Sequence, residues 1–93
     1  MNDDSAPDAP QKFDRRYILK LSCPDQRGIV AAVASFLAEQ DCNILESAQF
    51  DDAMSGHLFM RTVFGAGTAT PGIDNISAAF GPIASRFAME CSI

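Results

Sequence analysis

The stretch YILKLSCPDQRGIVAAVASFL, residues 17–37, contains the change of pattern that decides the fold. Tyr17, Leu19 and Leu21 occupy every second position, which predicts a half-buried β-strand. Pro24 cannot donate a hydrogen bond to a neighbouring strand, so the strand is expected to stop there. The short loop that follows leads into apolar residues at a different spacing.

Gly28 through Gln40 is predicted to be a helix. Several alanines favour it, and four large apolar residues fall on one face at 3.6 residues per turn. The core-facing residues are Ile29, Val33, Phe36 and Leu37. Asp25, just upstream, is expected either to cap this helix or to accept a hydrogen bond from an ammonium group.

Two strands joined by a hairpin are predicted next. Residues 42–51 alternate weakly, which is typical of an edge strand, and 52–56 form the turn. Residues 58–64 carry apolar groups on both faces, which favours a central strand. Gly65 to Gly72 then forms a loop of small residues, in which Thr70 resembles a helix N-cap followed by proline.

A second helical stripe follows this loop, and the chain ends in a fourth strand. The stripe consists of Ile73, Ile76, Phe80, Ile83, Ala84 and Phe87. Pro82 removes a helical hydrogen bond and clashes with the preceding turn, so a kink or break is expected near Gly81. Alternation from Phe87 to Ile93 predicts the last strand.

The element order β-α-β-β-α-β predicts an α+β, ferredoxin-like sandwich. Right-handed crossovers place both helices on one face of a four-stranded antiparallel sheet with strand order 4-1-3-2. Residues 1–15, rich in Asp, Ala and Pro, are expected to be a disordered tail, and 16–93 the folded domain. Because the chain stops in or just after the fourth strand, we expect it to be part of a longer protein.

The composition excludes several classes of partner. Seven Lys and Arg against twelve Asp and Glu give a net charge of -5, so the basic surface that nucleic acids or anionic membranes require is missing. No stretch of about 18 apolar residues or signal peptide is present. Three cysteines without a CxxC pair indicate reduced thiols in a cytoplasmic protein.

The sequence offers no convincing catalytic or metal site. His57 is the single histidine, and no HExxH or Cys/His cluster accompanies it. Nothing places Cys23 or Cys42 against His57 as a nucleophile pair. Asp51 and Asp52 adjoin a turn, where solvated carboxylates are common, and the Gly65–Gly67 segment lacks the third glycine of a nucleotide-binding loop.

The segment from Leu21 to Val30 is the best candidate for binding. The first N–H groups of the helix have no intrahelical partner and favour an anion such as a carboxylate. Gly28 permits close approach, and Asn43 offers both a donor and an acceptor. The plain alternative, an ordinary helix start and a polar strand start, remains open on the residues alone.

The residues resemble one family in particular, the N-terminal ACT domain of formyltetrahydrofolate deformylase. The similarity covers residues 16–93 and lies in YILKLSCPDQRGIVAAV (17–33), CNIL (42–45), QFDD (49–52) and FMR (59–61). Complete members hydrolyse 10-formyltetrahydrofolate to formate and tetrahydrofolate, supplying formate for purine biosynthesis. Their catalytic, folate-binding domain follows the ACT domain, so this chain alone is expected to be non-catalytic and without a cofactor.

The resemblance also implies a ligand and a partner. ACT domains commonly pair side by side into eight-stranded sheets, as homodimers or higher homo-oligomers, and bind small amino acids such as glycine or methionine at the interface. Many ACT domains have proline directly before the glycine, where this chain has Arg27. The matching positions are Asp25, Gln26, Arg27, Gly28, Ile29, Val30, Asn43 and Ile44.

Three hypotheses follow from the sequence. The chain is a regulatory amino-acid-binding module of a deformylase, an oligomerisation module that pairs through residues 42–51, or a stand-alone ACT sensor. Regulation requires a ligand that binds two conformations with different affinity, whereas pairing alone requires only a free strand edge.

Overall fold

The computed structural model describes residues 15–93 of the 93-residue chain. The tail predicted for 1–15 therefore lies outside the described residues, except for Arg15, which already belongs to the first strand.

Six elements form in the predicted order. They are β1 (Arg15–Pro24), α1 (Ile29–Glu39), β2 (Cys42–Asp52), β3 (His57–Ala66), α2 (Ile73–Phe87) and β4 (Glu90–Ser92). The four strands make one antiparallel sheet in the order β2-β3-β1-β4. This confirms the α+β, ferredoxin-like topology, with β2 at an edge and β3 in the centre.

The core lies between the two helices and one face of the sheet. β1 and β3 contribute alternate residues, and each helix contributes its apolar stripe. The rings of Phe36 on α1 and Phe80 on α2 meet edge to face, 5.2 Å apart between centroids. The buried residues are Leu19, Leu21, Cys23, Ile29, Val33, Phe36, Leu37, Leu58, Met60, Phe64, Ile76, Phe80 and Phe87. All four residues of the stripe predicted for the first helix are among them.

Two details predicted for the C-terminal third differ in the structure, namely the break in the second helix and the start of the fourth strand. Helix α2 continues through Pro82 instead of breaking near Gly81. Pro82 and Ala78 are both exposed, so the carbonyl that loses its helical partner can bind water. The fourth strand begins at Glu90 rather than Phe87, because Phe87 remains in α2 as a buried core residue.

One end of the sheet is closed by hydrogen bonds around Asp41, which we call the Asp41 clamp (Arg15, Asp41, Gly67 and Thr70). The Thr70 hydroxyl donates to the Asp41 carbonyl at 2.8 Å and accepts from the Gly67 N–H at 2.7 Å. Arg15 donates to the Gly67 carbonyl at 2.9 Å. Thr70 is therefore not the N-cap of α2 as predicted; Gly72 occupies that position without a side-chain cap.

A β-bulge interrupts β2 near its start. Ile44 pairs with Phe64 and Glu46 with Val63, which leaves Leu45 as the extra residue. The bulge reverses the alternation, so Ile44 shares the helix-covered side with Phe64, while Asn43, opposite Gly65, belongs to the open side.

The side of the sheet away from the helices is uncovered within residues 15–93. Phe50 and Phe59, paired across β2 and β3, are 63% and 44% exposed, with ring centroids 6.5 Å apart. They line a shallow depression of about 360 Å³ together with Lys20 and Arg61. Neither α1 nor α2 has the length and apolar run that crossing a membrane requires.

Candidate functional site

The candidate site is a cleft at the end of the sheet where β1 finishes, which we call the α1 cleft. It has a volume of about 280 Å³ and lies between the β1–α1 loop, the start of α1 and the last part of β2. Its lining residues are Asp25, Gln26, Gly28, Ile29, Val30, Ala31, Gln49, Asp51 and Leu58. Five of the eight residues predicted for the site therefore line one cleft.

The start of α1 leaves backbone donors free at this cleft. Gly28 is the N-cap, with φ 90°, and makes no side-chain cap hydrogen bond. The first helical bond runs from the Ala32 N–H to the Gly28 carbonyl at 2.9 Å, so the N–H groups of Ile29 to Ala31 have no intrahelical partner. Their partial positive charge makes this end of α1 suited to an anionic group.

Gly28 fits this position for a conformational reason. Its positive φ is a region that L-residues rarely adopt, and a Cβ added there would meet nothing within 4 Å. The glycine is therefore required by the turn of the backbone, and the space beside it is open.

Backbone and side-chain bonds hold the β1–α1 loop. The Asp25 N–H donates to the Gly56 carbonyl at 2.8 Å, tying the loop to the β2–β3 turn. The Gln26 amide donates to the carbonyls of Pro24 at 2.8 Å and Phe87 at 3.1 Å. Asp25 does not cap α1, and its carboxylate faces Asp51 instead.

Two carboxyl groups share one side of the cleft. A hydrogen bond with Asp25 is the main cause that raises the pKa of Asp51 above its usual value, followed by burial and by the repulsion of the Asp25 charge. Such a bond needs a proton on one of the pair. When both are ionised, the two carboxylates favour a cation between them.

Three of the predicted site residues do not line the cleft. Arg27 is exposed in the loop. Asn43 and Ile44 lie at the opposite end of the sheet, because Asn43 pairs with Gly65, which pairs with Arg16, whereas Pro24 adjoins the cleft. The eight residue-to-residue steps from Arg16 to Pro24 span about 26 Å. One copy of the chain therefore cannot bring Asn43 and Ile44 to the α1 cleft.

Sequence reasoning missed four of the cleft residues, Ala31, Gln49, Asp51 and Leu58. The signal was present in the predicted topology, since a hairpin turn at 52–56 sets the end of β2 beside the start of β3, and β3 pairs with β1. The residues near that turn had to approach the β1–α1 loop. On the sequence alone, the position of Asp51 beside a turn indicates a solvated carboxylate.

Cys23, Cys42 and His57 do not line the α1 cleft. Burial, aided by the charge of Asp25, raises the pKa of the Cys23 thiol, and burial is also the main cause that raises the pKa of Cys42, so both stay protonated at neutral pH. The His57 Nδ1 lies 3.1 Å from the Ser55 carbonyl oxygen. No group of three or more His, Cys, Asp or Glu side chains in this part of the chain is placed to hold a metal ion.

Comparison with known proteins identifies the family. The family model described as "ACT domain" matches residues 17–71. The chain belongs to the ACT-domain family. An ACT domain protein from Streptococcus pneumoniae shows the same fold, with a TM-score of 0.70 at 19% identity, over 83% of this chain and 84% of that one.

The similarity in sequence is to formyltetrahydrofolate deformylases. The chain is 41% identical over 76 residues to the enzyme of Bacillus subtilis, and 37% over 75 residues to that of Corynebacterium sp.. Each alignment covers 81% of this chain, and 25% and 26% of the respective relative. The crystal structure of the Burkholderia mallei deformylase matches with a TM-score of 0.76 and 40% identity, over 83% of this chain and 27% of that chain. This ACT domain thus spans about a quarter of the length of these relatives.

Proposed function

We propose that this ACT domain is the regulatory, amino-acid-binding part of a cytoplasmic formyltetrahydrofolate deformylase. The parent reaction is hydrolysis of 10-formyltetrahydrofolate to formate and tetrahydrofolate, with formate passing to purine biosynthesis. Similarity over 81% of the chain to enzymes of that name supports the parent enzyme. The single observation that carries the binding role is the uncapped start of α1, which opens into a cleft beside two carboxyl groups.

The α1 cleft matches a small zwitterion in both charge and size. The free N–H groups of α1 suit an α-carboxylate, and Asp25 with Asp51 suits an α-ammonium group. The buried Leu58 and Ile29 give the cleft an apolar wall, which leaves room for a hydrogen or a short aliphatic side chain. Glycine and methionine are the ligands to test.

In this proposal, a second copy of the chain pairs with β2 and closes the open side of the α1 cleft. β2 is an edge strand whose residues from Asn43 to Asp51 are all exposed. Antiparallel pairing of two β2 strands about their middle residue, Ser47, sets position 44 of one copy opposite position 49 of the other, because the bulge takes Leu45 out of the alternation. Positions 43 and 44 of the second copy then lie beside Phe50 and Gln49, and Gln49 lines the cleft.

The bulge refines which side chain takes part. Ile44 belongs to the helix-covered side, where the cleft lies, whereas Asn43 belongs to the open side. In the paired arrangement Ile44 covers the ligand, and Asn43 contributes through its backbone or by reaching around the strand. Ile44→Ala should therefore weaken binding more than Asn43→Ala.

Isothermal titration calorimetry with glycine and with methionine tests the binding role. We expect binding at micromolar to millimolar concentrations, weakened about tenfold by Asp25→Asn, because a charge-assisted hydrogen bond contributes about 1.5 kcal/mol. Asp74→Asn, an exposed substitution on α2, is the matched control. If neither ligand gives a heat of binding at concentrations about ten times above the millimolar range, the proposed amino-acid-binding function is wrong.

The exposed β2 edge independently favours a second candidate, an oligomerisation domain that needs no ligand. Sedimentation velocity separates the two functions. A dimer that forms equally well with and without amino acid, together with silent calorimetry, supports oligomerisation alone. Sequencing the gene beyond the codon for Ile93 tests the deformylase assignment and the stand-alone sensor alternative.

A further inference from the structure

The side chain of Gln26 joins two parts of the fold that lie 61 residues apart in the sequence. It begins in the β1–α1 loop, where it lines the α1 cleft. Its amide nitrogen donates to the carbonyl of Pro24, the last residue of β1, and to the carbonyl of Phe87, the last residue of α2. The cleft is therefore connected directly to the far end of the second helix.

The orientation of this amide is fixed by its partners. Both are carbonyl oxygens, which only accept hydrogen bonds, so the NH₂ group must face them. Both amide hydrogens are then in use, and the amide oxygen alone remains as an acceptor for a ligand. The predicted ligand-binding role of Gln26 is thereby reduced to that one oxygen.

The end of α2 depends on this outside donor. Ala88 has φ 55°, its N–H donates to the Ser85 carbonyl at 3.3 Å, and the Met89 N–H donates to the Ala84 carbonyl at 2.8 Å. This is the Schellman pattern of a helix C-terminus. The Phe87 carbonyl is left outside that pattern and accepts from Gln26, just before the chain turns into β4.

We propose that Gln26 is a strap that transmits the state of the α1 cleft to the α2–β4 turn. The proposal rests on the proposed function, because it assigns the route by which an amino acid in the cleft acts elsewhere. A ligand that moves the β1–α1 loop, or binds the amide oxygen of Gln26, changes the bond to Phe87. The turn that carries the strained Ala88 then changes with it, and regulation of this kind is a coupling between two sites.

The first experiment needs no ligand. Gln26→Met keeps the length of the side chain but removes both donors. We expect amide hydrogen exchange at Ala88 and Met89 to become about five- to tenfold faster, as for the loss of one ordinary hydrogen bond. Gln49→Met, on the other wall of the same cleft, should leave these two amides unchanged.

A substitution in the α1 cleft shows whether the bond from Gln26 to Phe87 couples the cleft to the α2–β4 turn or only stabilises the fold. Gly28→Ala disturbs the backbone of the loop, and its effect is read as NMR shift changes at Ala88 to Glu90. We expect clear changes when Gln26 is present and at least a threefold reduction of them in the Gln26→Met background. Equal changes in both backgrounds, or no change in either, would overturn the strap.

Titration with glycine and methionine links the strap to regulation. In the wild-type chain, a bound ligand should shift the amides of Ile29 and Val30 together with those of Ala88 to Glu90. In Gln26→Met only the first group should respond. A ligand response that reaches Ala88 to Glu90 equally in both proteins contradicts the proposal. If no amide at the cleft responds, the proposed function fails, and the Gly28→Ala comparison still decides the strap.

Discussion

The two ends of the sheet are both built on a glycine beside an aspartate, and they differ in what surrounds that pair. At the Asp41 clamp, Gly67 packs directly against Asp41, and a Cβ there would lie 2.9 Å from the Asp41 carbonyl oxygen. At the α1 cleft, Gly28 has open space around it, and the nearby carboxyl groups face each other. The polar groups of the clamp bond to one another, whereas at the cleft the first N–H groups of α1 have no intrahelical partner and no side-chain cap.

This contrast separates structural from functional polar residues without any bound ligand. Every hydrogen bond of the clamp joins groups of the same chain, so changes there should act on stability. Water can satisfy the free N–H groups of α1 as well as a ligand can, so these groups are not needed for the fold. Changes at the start of α1 should therefore act on binding. Substitutions in the clamp should therefore lower the free energy of unfolding more than substitutions at the cleft.

Gly67→Ala should be the most destabilising of these changes. The added methyl group would overlap the Asp41 side chain and its backbone carbonyl, and such overpacking costs about 3 kcal/mol of unfolding free energy. Urea unfolding measures the loss. Gly72→Ala is the matched control, because φ is -63° there and a Cβ meets nothing within 4 Å. Equal midpoints for the two variants would show that the clamp is not tightly packed.

Thr70→Val should remove two hydrogen bonds of the clamp while keeping the shape of the side chain. Thr70 is 8% exposed, so the Asp41 carbonyl would lose a donor in a nearly dry environment, at a cost of about 2 kcal/mol. Thermal unfolding of Thr70→Val and of Thr68→Val, at an exposed position, provides the comparison. A loss shared by both variants would point to valine itself rather than to the clamp.

Ala88→Gly should stabilise the chain. Ala88 adopts the left-handed conformation at the end of α2, where glycine avoids the Cβ penalty and gains about 0.5–1 kcal/mol. The same substitution at the exposed helix-interior residue Ala79 should destabilise by about 1 kcal/mol. A raised urea midpoint for Ala88→Gly and a lowered one for Ala79→Gly would confirm the left-handed conformation of Ala88. Lowered midpoints for both variants would contradict it.

Asp51→Asn should have a small stabilising effect whose size depends on pH. The pKa of Asp51 is raised in the folded chain, so the folded state holds a proton more tightly than the unfolded state. Stability then falls as the pH rises from the ordinary aspartate pKa through the raised value. We therefore expect Asp51→Asn to raise the melting temperature at pH 7 and to leave it nearly unchanged at pH 3. Asp52→Asn is an unsuitable control, because Asp52 holds its own turn through bonds to Met54 and Ser55; Asp74→Asn serves instead.

The sequence predicts the element order and the strand positions because they follow from local periodicity and chain connectivity. The stripe from Ile29 to Leu37 identifies α1, and the weak alternation of 42–51 identifies an edge strand. The sequence pattern does not show which hydrogen-bond partner each polar group has in the fold. Thr70 before Pro71 looks like an N-cap, but its hydroxyl reaches Asp41, 29 residues away.

Long-range partners also explain the other differences. Pro82 is tolerated because its side of α2 faces solvent, a fact that depends on where the sheet lies. Gln26 looks like a loop residue free to bind a ligand until the position of the Phe87 carbonyl is known. The family resemblance, confirmed by the match over residues 17–71, points to the loop and helix start, and the structure adds Asp51 from the end of β2.

The bulge at Leu45 determines which side of the sheet the first residues of β2 face. Because it inserts one residue between Ile44 and Glu46, the residues before it and after it follow opposite alternation along one strand. A relative that lacks this residue would turn its first three strand residues over while the rest of the strand stayed in place. It would then present the counterpart of Asn43, instead of that of Ile44, on the helix-covered side of the edge strand. A single-codon insertion or deletion at this point is thus enough to exchange an amide for an aliphatic group in an otherwise unchanged domain.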